Sequence, residues 1–153
     1  MQVRLQRVNN QVHFVAENAD GNRVHIDGSP AVGGQADGFR PMELLLAAVA
    51  GCASMDLVPI LNKQRQHLDD ISIVVDGRRA EGRTPAPFEQ IDISFVLTGR
   101  IDQRSAERAA ALAVEKYCSV AESLAPAVQI NWSVVIDEAG EAEQHGARGH
   151  NSD

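Results

Sequence analysis

With 153 residues and a formal net charge of −7, the chain suits one domain, can bury a sizeable core, and offers no basic excess for nucleic acid. Its N-terminus, MQVRLQRV, lacks the long apolar run of a signal peptide, which predicts a cytoplasmic protein. In that compartment the two cysteines are expected as reduced thiols rather than a structural disulfide.

Taken in order, residues 2–8 alternate, with Val3, Leu5 and Val8 apolar. Asn9-Asn10 can take positive φ and predicts a tight hairpin turn, with residues 11–16 as the return strand. Residues 18–22 (NADGN) read as a second turn and 23–27 (RVHID) as a third strand, giving an antiparallel meander. The Gly-rich stretch 28–40 is a long loop that runs directly into the next element, so it is expected to lie over a site.

Residues 40–66 organise the rest. From Met42 to Leu61 the only charges are Glu43 and Asp56, and apolar or small residues fall on every face, which predicts a buried core helix. Asp56, Pro59 and the polar residues that follow argue against a membrane span. Pro41 suits the first helical position, and Glu43 falls in the first turn, where a carboxylate favours the helix dipole. Pro59 removes a hydrogen bond and predicts a kink or break. Gly51 costs helix stability and is expected to admit another backbone closely.

Beyond the helix, Ile71, Ile73 and Val75 alternate as a strand, residues 77–87 form a polar connection, and residues 88–98 form a long strand with Ile91, Ile93, Phe95 and Leu97 on one face. Asp102 or Ser105 can cap a second helix whose apolar face is Ala106, Ala109, Ala110, Ala113, Val114 and Tyr117. Cys118 ends that helix, and Ser119 through Glu122 read as a capping box for a short third one. Val128, Ile130, Trp132, Val134 and Ile136 alternate as the last strand. Residues 138–153 lack an apolar face and read as a disordered tail, leaving 1–137 as one domain. The order βββ–α–ββ–α–α–β is that of an α+β fold.

The candidate chemistry rests on Cys52, at the middle of the long helix, and Cys118. Any buried cysteine can also be a small hydrophobe. Cys52 lies mid-helix, so a reactive thiolate there needs a nearby cation. If Ser119 caps a helix, Cys118 lies near that helix's positive end. Asp56 lies one turn after Cys52 on the same face, and in an apolar helix it must be paired or protonated, with Arg4, Arg7, Arg40 and Lys63 as partners. Glu43, nine residues before Cys52, falls on the opposite face and reaches the thiol only through a helix bend or from a partner chain. Glu115 shares the face of Cys118 and can accept a hydrogen bond from a cationic partner. Arg78, Arg79 and Arg83 read as an exposed turn, and His13 and His25 as satisfied polar positions on strands. No cofactor is implied, and with no CxxC and scattered histidines no spacing fits a zinc site.

At RPMELLLAAVAGCASMD (40–56) and EKYCSVAESL (115–124) the sequence resembles the OsmC/Ohr family, the osmotically inducible protein C and organic hydroperoxide resistance proteins. The resemblance spans about residues 1–137. It is nearest the YhfA-type branch through the MQVR start, Val96–Arg100 and EKYCSV. It implies antiparallel sheets wrapped around the long buried helix in an intertwined homodimer, with two sites at the interface. It also implies thiol peroxidase chemistry on organic hydroperoxides. Cys52 would be the peroxidatic thiolate and Cys118 the resolving one, with an external dithiol as reductant.

The family's peroxidases carry Glu directly after the helix-starting proline, where this chain has Met42 with Glu43 one step later. They also place an Arg in the N-terminal strand–turn region, where this chain offers Arg4 and Arg7. Arg7, Arg40, Glu43, Asp56 and Glu115 are therefore the candidates for activating the thiol. A different class of reading also stands: a non-catalytic OsmC-like dimer that binds a small apolar or thiol-reactive ligand. A third, a thiol–disulfide oxidoreductase, is disfavoured by the missing CxxC.

Overall fold

A computed structural model describes residues 1–137; the expected tail, 138–153, lies outside the described residues. The strands are β1 (Val3–Arg7), β2 (Phe14–Asn18), β3 (Arg23–Ile26), β4 (His67–Arg79), β5 (Phe88–Arg100) and β6 (Gln129–Asp137). The helices are α1 (Pro41–Lys63), α2 (Gln103–Ala111), which widens into a π-helical stretch at Leu112–Tyr117, and α3 (Ser119–Leu124). The architecture is α+β: two three-stranded sheets and one long helix, in the element order that the sequence predicts.

The first sheet is the meander β1–β2–β3, antiparallel throughout. Its first turn is longer than the expected Asn-Asn hairpin, and β2 begins at Phe14 rather than Gln11. The Asn9 side chain is the reason: its Oδ1 accepts from the N–H groups of Gln11 and His13, holding a wider loop that Val8 N–H closes onto the His13 carbonyl. The second turn is where it was expected, with Asn18 Oδ1 accepting from Asp20 and Asn22 and Gly21 at positive φ.

The second sheet is ordered β4–β5–β6. β4 and β5 pair antiparallel, but β5 and β6 pair parallel, so this sheet is mixed. A parallel neighbour needs a crossover, and α2, the π stretch and α3 together supply it. Ile91, Ile93, Phe95 and Leu97 of β5 are at most 1% exposed, as their alternation predicts. Each such side chain contributes roughly 1.5–3 kcal/mol of burial energy.

Helix α2 lies against α1 and β6. Its alanines 106, 109, 110 and 113 are fully buried, and small side chains are what let the helix approach so closely. Asp102 is its N-cap, accepting from the Ser105 N–H. Tyr117, expected on the same buried face, is turned outward and half exposed, because the wider π turn shifts the phase of the last residues.

Helix α1 departs most from expectation. Pro41 is its first residue, and the Arg40 N–H donates to the Glu43 carboxylate, closing the helix start. The helix does not break at Pro59 but runs on to Lys63. The donor that Pro59 lacks would have bonded Met55, which is exposed, so water can satisfy that carbonyl. Within one chain α1 is not buried all round. The buried residues Val49, Ala50, Ala53, Leu57 and Leu61 lie mainly along one stripe facing the second sheet and α2, whereas Met55 is 79% exposed. Gly51 faces outward too, and a side chain there would meet nothing within 4 Å, so the close backbone approach expected at Gly51 is not made within this chain. By length and composition alone α1 could also cross a membrane, but its buried stripe belongs to the main hydrophobic cluster.

Candidate active site

The two cysteines are distant in sequence, and the fold brings them together. The π-helical stretch delivers Cys118 onto α1 as the chain turns into α3. The Cys118 thiol donates weakly to the Val49 carbonyl at 3.8 Å, and Val49 lies one turn before Cys52 on the same helix. The Cys52 side chain lies within hydrogen-bonding range of Cys118, and both thiols are free.

Cys118, not Ser119, is the N-cap of α3. Its Sγ accepts from the Ala121 N–H at 3.3 Å, and Ser119 is the first helical residue. The sequence reading placed the cap one residue late because serine is the commoner capping side chain; the sulfur takes the oxygen's place.

The two thiols sit in different environments. Cys118 is 3% exposed, whereas Cys52 is half-buried. Burial pushes the Cys118 thiol above its ordinary range. The Ala121 N–H pulls it down, but the adjoining Cys52 pushes it up again, since two sulfurs at one point resist a second negative charge. A groove of about 560 Å³ opens beside Cys118, lined in part by Val114, Tyr117, Ser119, Val128 and Ile130. Glu115, Lys116, Glu122 and Ser123 also line it, so its wall is mixed in polarity, and it borders Cys118 rather than Cys52.

The five charged candidates are placed differently. Arg40 and Glu43 meet each other at the start of α1, 3.6 Å apart, both well exposed. Nine residues of helix rise separate Glu43 from Cys52, about 13 Å. Arg7 ends β1, on a sheet that α1 of the same chain leaves largely uncovered. Asp56 is half-buried and makes no ion pair among the described residues, so none of its expected partners, Arg4, Arg7, Arg40 or Lys63, reaches it within the chain. Its partial exposure is what permits this, because water can solvate it. Glu115 accepts from the Trp132 indole N–H at 2.8 Å rather than from a cation. That bond ties the π stretch to β6 just before Cys118. Thus among the described residues no Arg or Lys of the same chain is placed on Cys52 by a hydrogen bond or ion pair.

The remaining basic run is accounted for locally: Arg78 pairs with Glu89 at 2.7 Å, while Arg79 and Arg83 donate to the Ala86 and Pro85 carbonyls. Two features were not legible in the sequence. One is the π-helical delivery of Cys118, for which no residue signal exists. The other is Asp27, which is 1% exposed and holds the loop 28–40. Its Oδ1 accepts from Gly28 N–H at 2.7 Å, and its Oδ2 from Gln35 and Asp37 at 3.0 and 3.1 Å. The only sequence signal was an Asp-Gly-Ser-Pro start to the loop.

Comparison with known proteins follows this geometry. Residues 34–133 match the family model described as OsmC-like protein. Protein YhfA of Escherichia coli K12 is 38% identical over 137 residues, covering 89% of this chain and 98% of YhfA. A crystal structure of a hypothetical protein from Aquifex aeolicus is 32% identical, with a TM-score of 0.74 over 90% of this chain and 97% of that one. A crystal structure described as an organic hydroperoxide resistance protein OsmC from Legionella pneumophila shares the fold. It is 20% identical, with a TM-score of 0.66 over 88% of this chain and 96% of that one.

Proposed function

The chain belongs to the OsmC-like family, and from that premise we propose that it reduces organic hydroperoxides through Cys52 and Cys118. The observation that carries the proposal is the contact between a half-buried thiol and a fully buried one. A peroxide reaches the more open sulfur first. The Cys52 thiolate attacks the distal oxygen of ROOH, the O–O bond breaks, and the alkoxide leaves and takes a proton as ROH. Cys52 is then a sulfenic acid. Cys118 attacks that sulfur, water departs, and the two sulfurs are joined. An external dithiol returns both to thiols by two exchange steps. The high pKa of Cys118 suits this order, because it keeps the resolving thiol protonated until the sulfenic acid forms beside it.

The apolar faces left open support a homodimer as the working unit. Met55 on α1, and Val3 and Leu5 on β1, are all more than half exposed in the single chain. A second copy covering them would also bring a partner's charged groups toward Cys52, on which no Arg or Lys is placed by a hydrogen bond or ion pair among the described residues. Arg7 and the Arg40–Glu43 pair are the groups so offered. Two free thiols fit a reducing, cytoplasmic setting.

The test is peroxide consumption with cumene hydroperoxide and a dithiol reductant. Cys52→Ser should abolish turnover. Cys118→Ser should leave the first oxidation intact and accumulate a sulfenic acid at Cys52, seen by mass spectrometry after trapping. If Cys52→Ser keeps full activity, the chemistry lies elsewhere, and the protein is better read as a ligand-binding member of its family.

A further inference from the structure

We propose that His13, Asp27 and Asp37, with His25 as the support of His13, form a binding site for a divalent transition-metal ion, zinc being the one whose chemistry fits best. The site lies where the first sheet meets the loop 28–40, and no part of it belongs to the thiol pair. A ring nitrogen of His13 and a carboxylate oxygen from each of Asp27 and Asp37 lie within 4.8 Å of one another. A metal with bonds of about 2.1 Å holds such donors roughly 3–4 Å apart. Small side-chain rotations close that gap, and the exposed Asp37 has room to make them.

The three groups converge without satisfying one another. Among the described residues no hydrogen bond or ion pair joins His13 to either carboxylate, and the side chain of Asp37 shows no bond at all. Two carboxylates brought this close repel, and a cation between them removes the repulsion. Asp27 is fixed for the task. Its two oxygens offer about four acceptor positions, and three are taken by backbone N–H groups, which leaves one on Oδ1.

His25 supplies what a metal-bound histidine needs on its far side. His13 Nε2 and His25 Nδ1 are 2.8 Å apart, with the rings tilted by 55°. When His13 Nε2 carries the proton it donates to His25, and the Nδ1 lone pair is free for a cation. Fixing the tautomer from outside in this way is the usual second partner of a ligating histidine. Mixed imidazole and carboxylate donors favour zinc or a similar ion over magnesium or calcium. Bound there, the ion would join the turn before β2, the end of β3 and the loop that leads into α1. Gly38 already brings that loop against β3 so closely that a side chain would sit 2.6 Å from the His25 backbone.

The expectation of no zinc site rested on spacing along the chain. These donors come from three separate segments, so spacing could not reveal them.

The test is cobalt(II) titration of the tag-free full-length chain with its thiols reduced, followed by optical absorption, with zinc competition to rank affinity. The expected result is one equivalent of cobalt per chain, showing ligand-field bands without a sulfur-to-metal charge-transfer band. Asp37→Asn and His13→Ala should weaken binding by at least tenfold, and His25→Ala, which removes the ring that orients His13, by about 10–100-fold. His145→Ala with His150→Ala should leave it unchanged. A sulfur charge-transfer band, equal binding by wild type and Asp37→Asn, or no binding would each overturn the proposal. His13, His25 and Asp37 lie at exposed or half-buried positions, so a folded protein is expected for each of those variants, checked by circular dichroism.

Discussion

The two sheets carry the same kind of alternating sequence and meet different fates. In β5, Ile91, Ile93, Phe95 and Leu97 are sealed beneath α1 and α2. In β1, Val3 and Leu5 are 55% and 56% exposed, and among the described residues of that sheet Ala16 on β2 is the one buried hydrophobic. Alternation makes one face of a strand apolar; it does not supply the cover. The second sheet finds its cover within the chain because the crossover to a parallel β6 lays helices across it. The first sheet is held to its own loop by Asp27 and the Ile26–Phe39 bridge, and its apolar positions stay open. The same contrast runs along α1, whose Leu57 and Leu61 are buried while Met55 is not. The uncovered positions are the ones that the proposed homodimer would cover with a second copy of the chain.

This contrast can be broken by mutation. Phe95→Ala should cost about 3–5 kcal/mol in a denaturant melt, independent of protein concentration, because its contacts are all within the chain. Leu5→Asp, or Met55→Arg, should act through association instead. The expected outcome is a shift from dimer to monomer by light scattering, with melting that loses its dependence on protein concentration. If Leu5→Asp instead destabilises to the same degree at every concentration, the first sheet is covered from within and the contrast fails.

A chemical version compares the two thiols. Because burial raises the Cys118 pKa, its thiolate is scarce at neutral pH, and its alkylation by iodoacetamide should lag that of Cys52 severalfold. The rate at Cys118 should keep rising as the pH moves above that of an ordinary thiol. Peptide mapping by mass spectrometry reads both sites in one sample. Equal rates at neutral pH would contradict the assignment of Cys52 as the more open thiol.

The smallest expected effect is at the cap of α2. The Ser105 N–H and hydroxyl hold the Asp102 carboxyl below its ordinary range. A depressed carboxylate adds stability above its unfolded pKa and loses it as the pH falls through the folded one. Asp102→Ala should therefore lower the melting temperature slightly at neutral pH, and the gap to wild type should close on acidification below the ordinary carboxylate range. A gap that persists in acid would point to packing rather than charge.

Much of this was legible from residues. The start of α1 was readable because Pro41 and Glu43 act within one turn. The inward face of β5 was readable because period two needs no partner, and the alanine face of α2 announced close packing. Less legible were cover and phase. Tyr117, on the apolar face of its helix pattern, is turned out by the π turn; the close approach expected at Gly51 is not made within the chain; and Asp56, expected to be paired or protonated, is half-buried with no ion pair among the described residues. In each case the local pattern does not say what stands opposite.

The sequence by itself determined the order of elements, the helix caps near Arg40 and Asp102, the apolar face of each strand and helix, and the two cysteines as the residues to follow. Those properties depend on neighbours within a few positions, where geometry is fixed by helix and strand periods. Only the tertiary structure decided that Cys118 lies against Val49 and Cys52, that β6 runs parallel to β5, and that His13, Asp27 and Asp37 converge. It also decided which apolar faces stay uncovered. These are meetings between distant segments, set by which surfaces the whole chain can bury at once, and no local period encodes them.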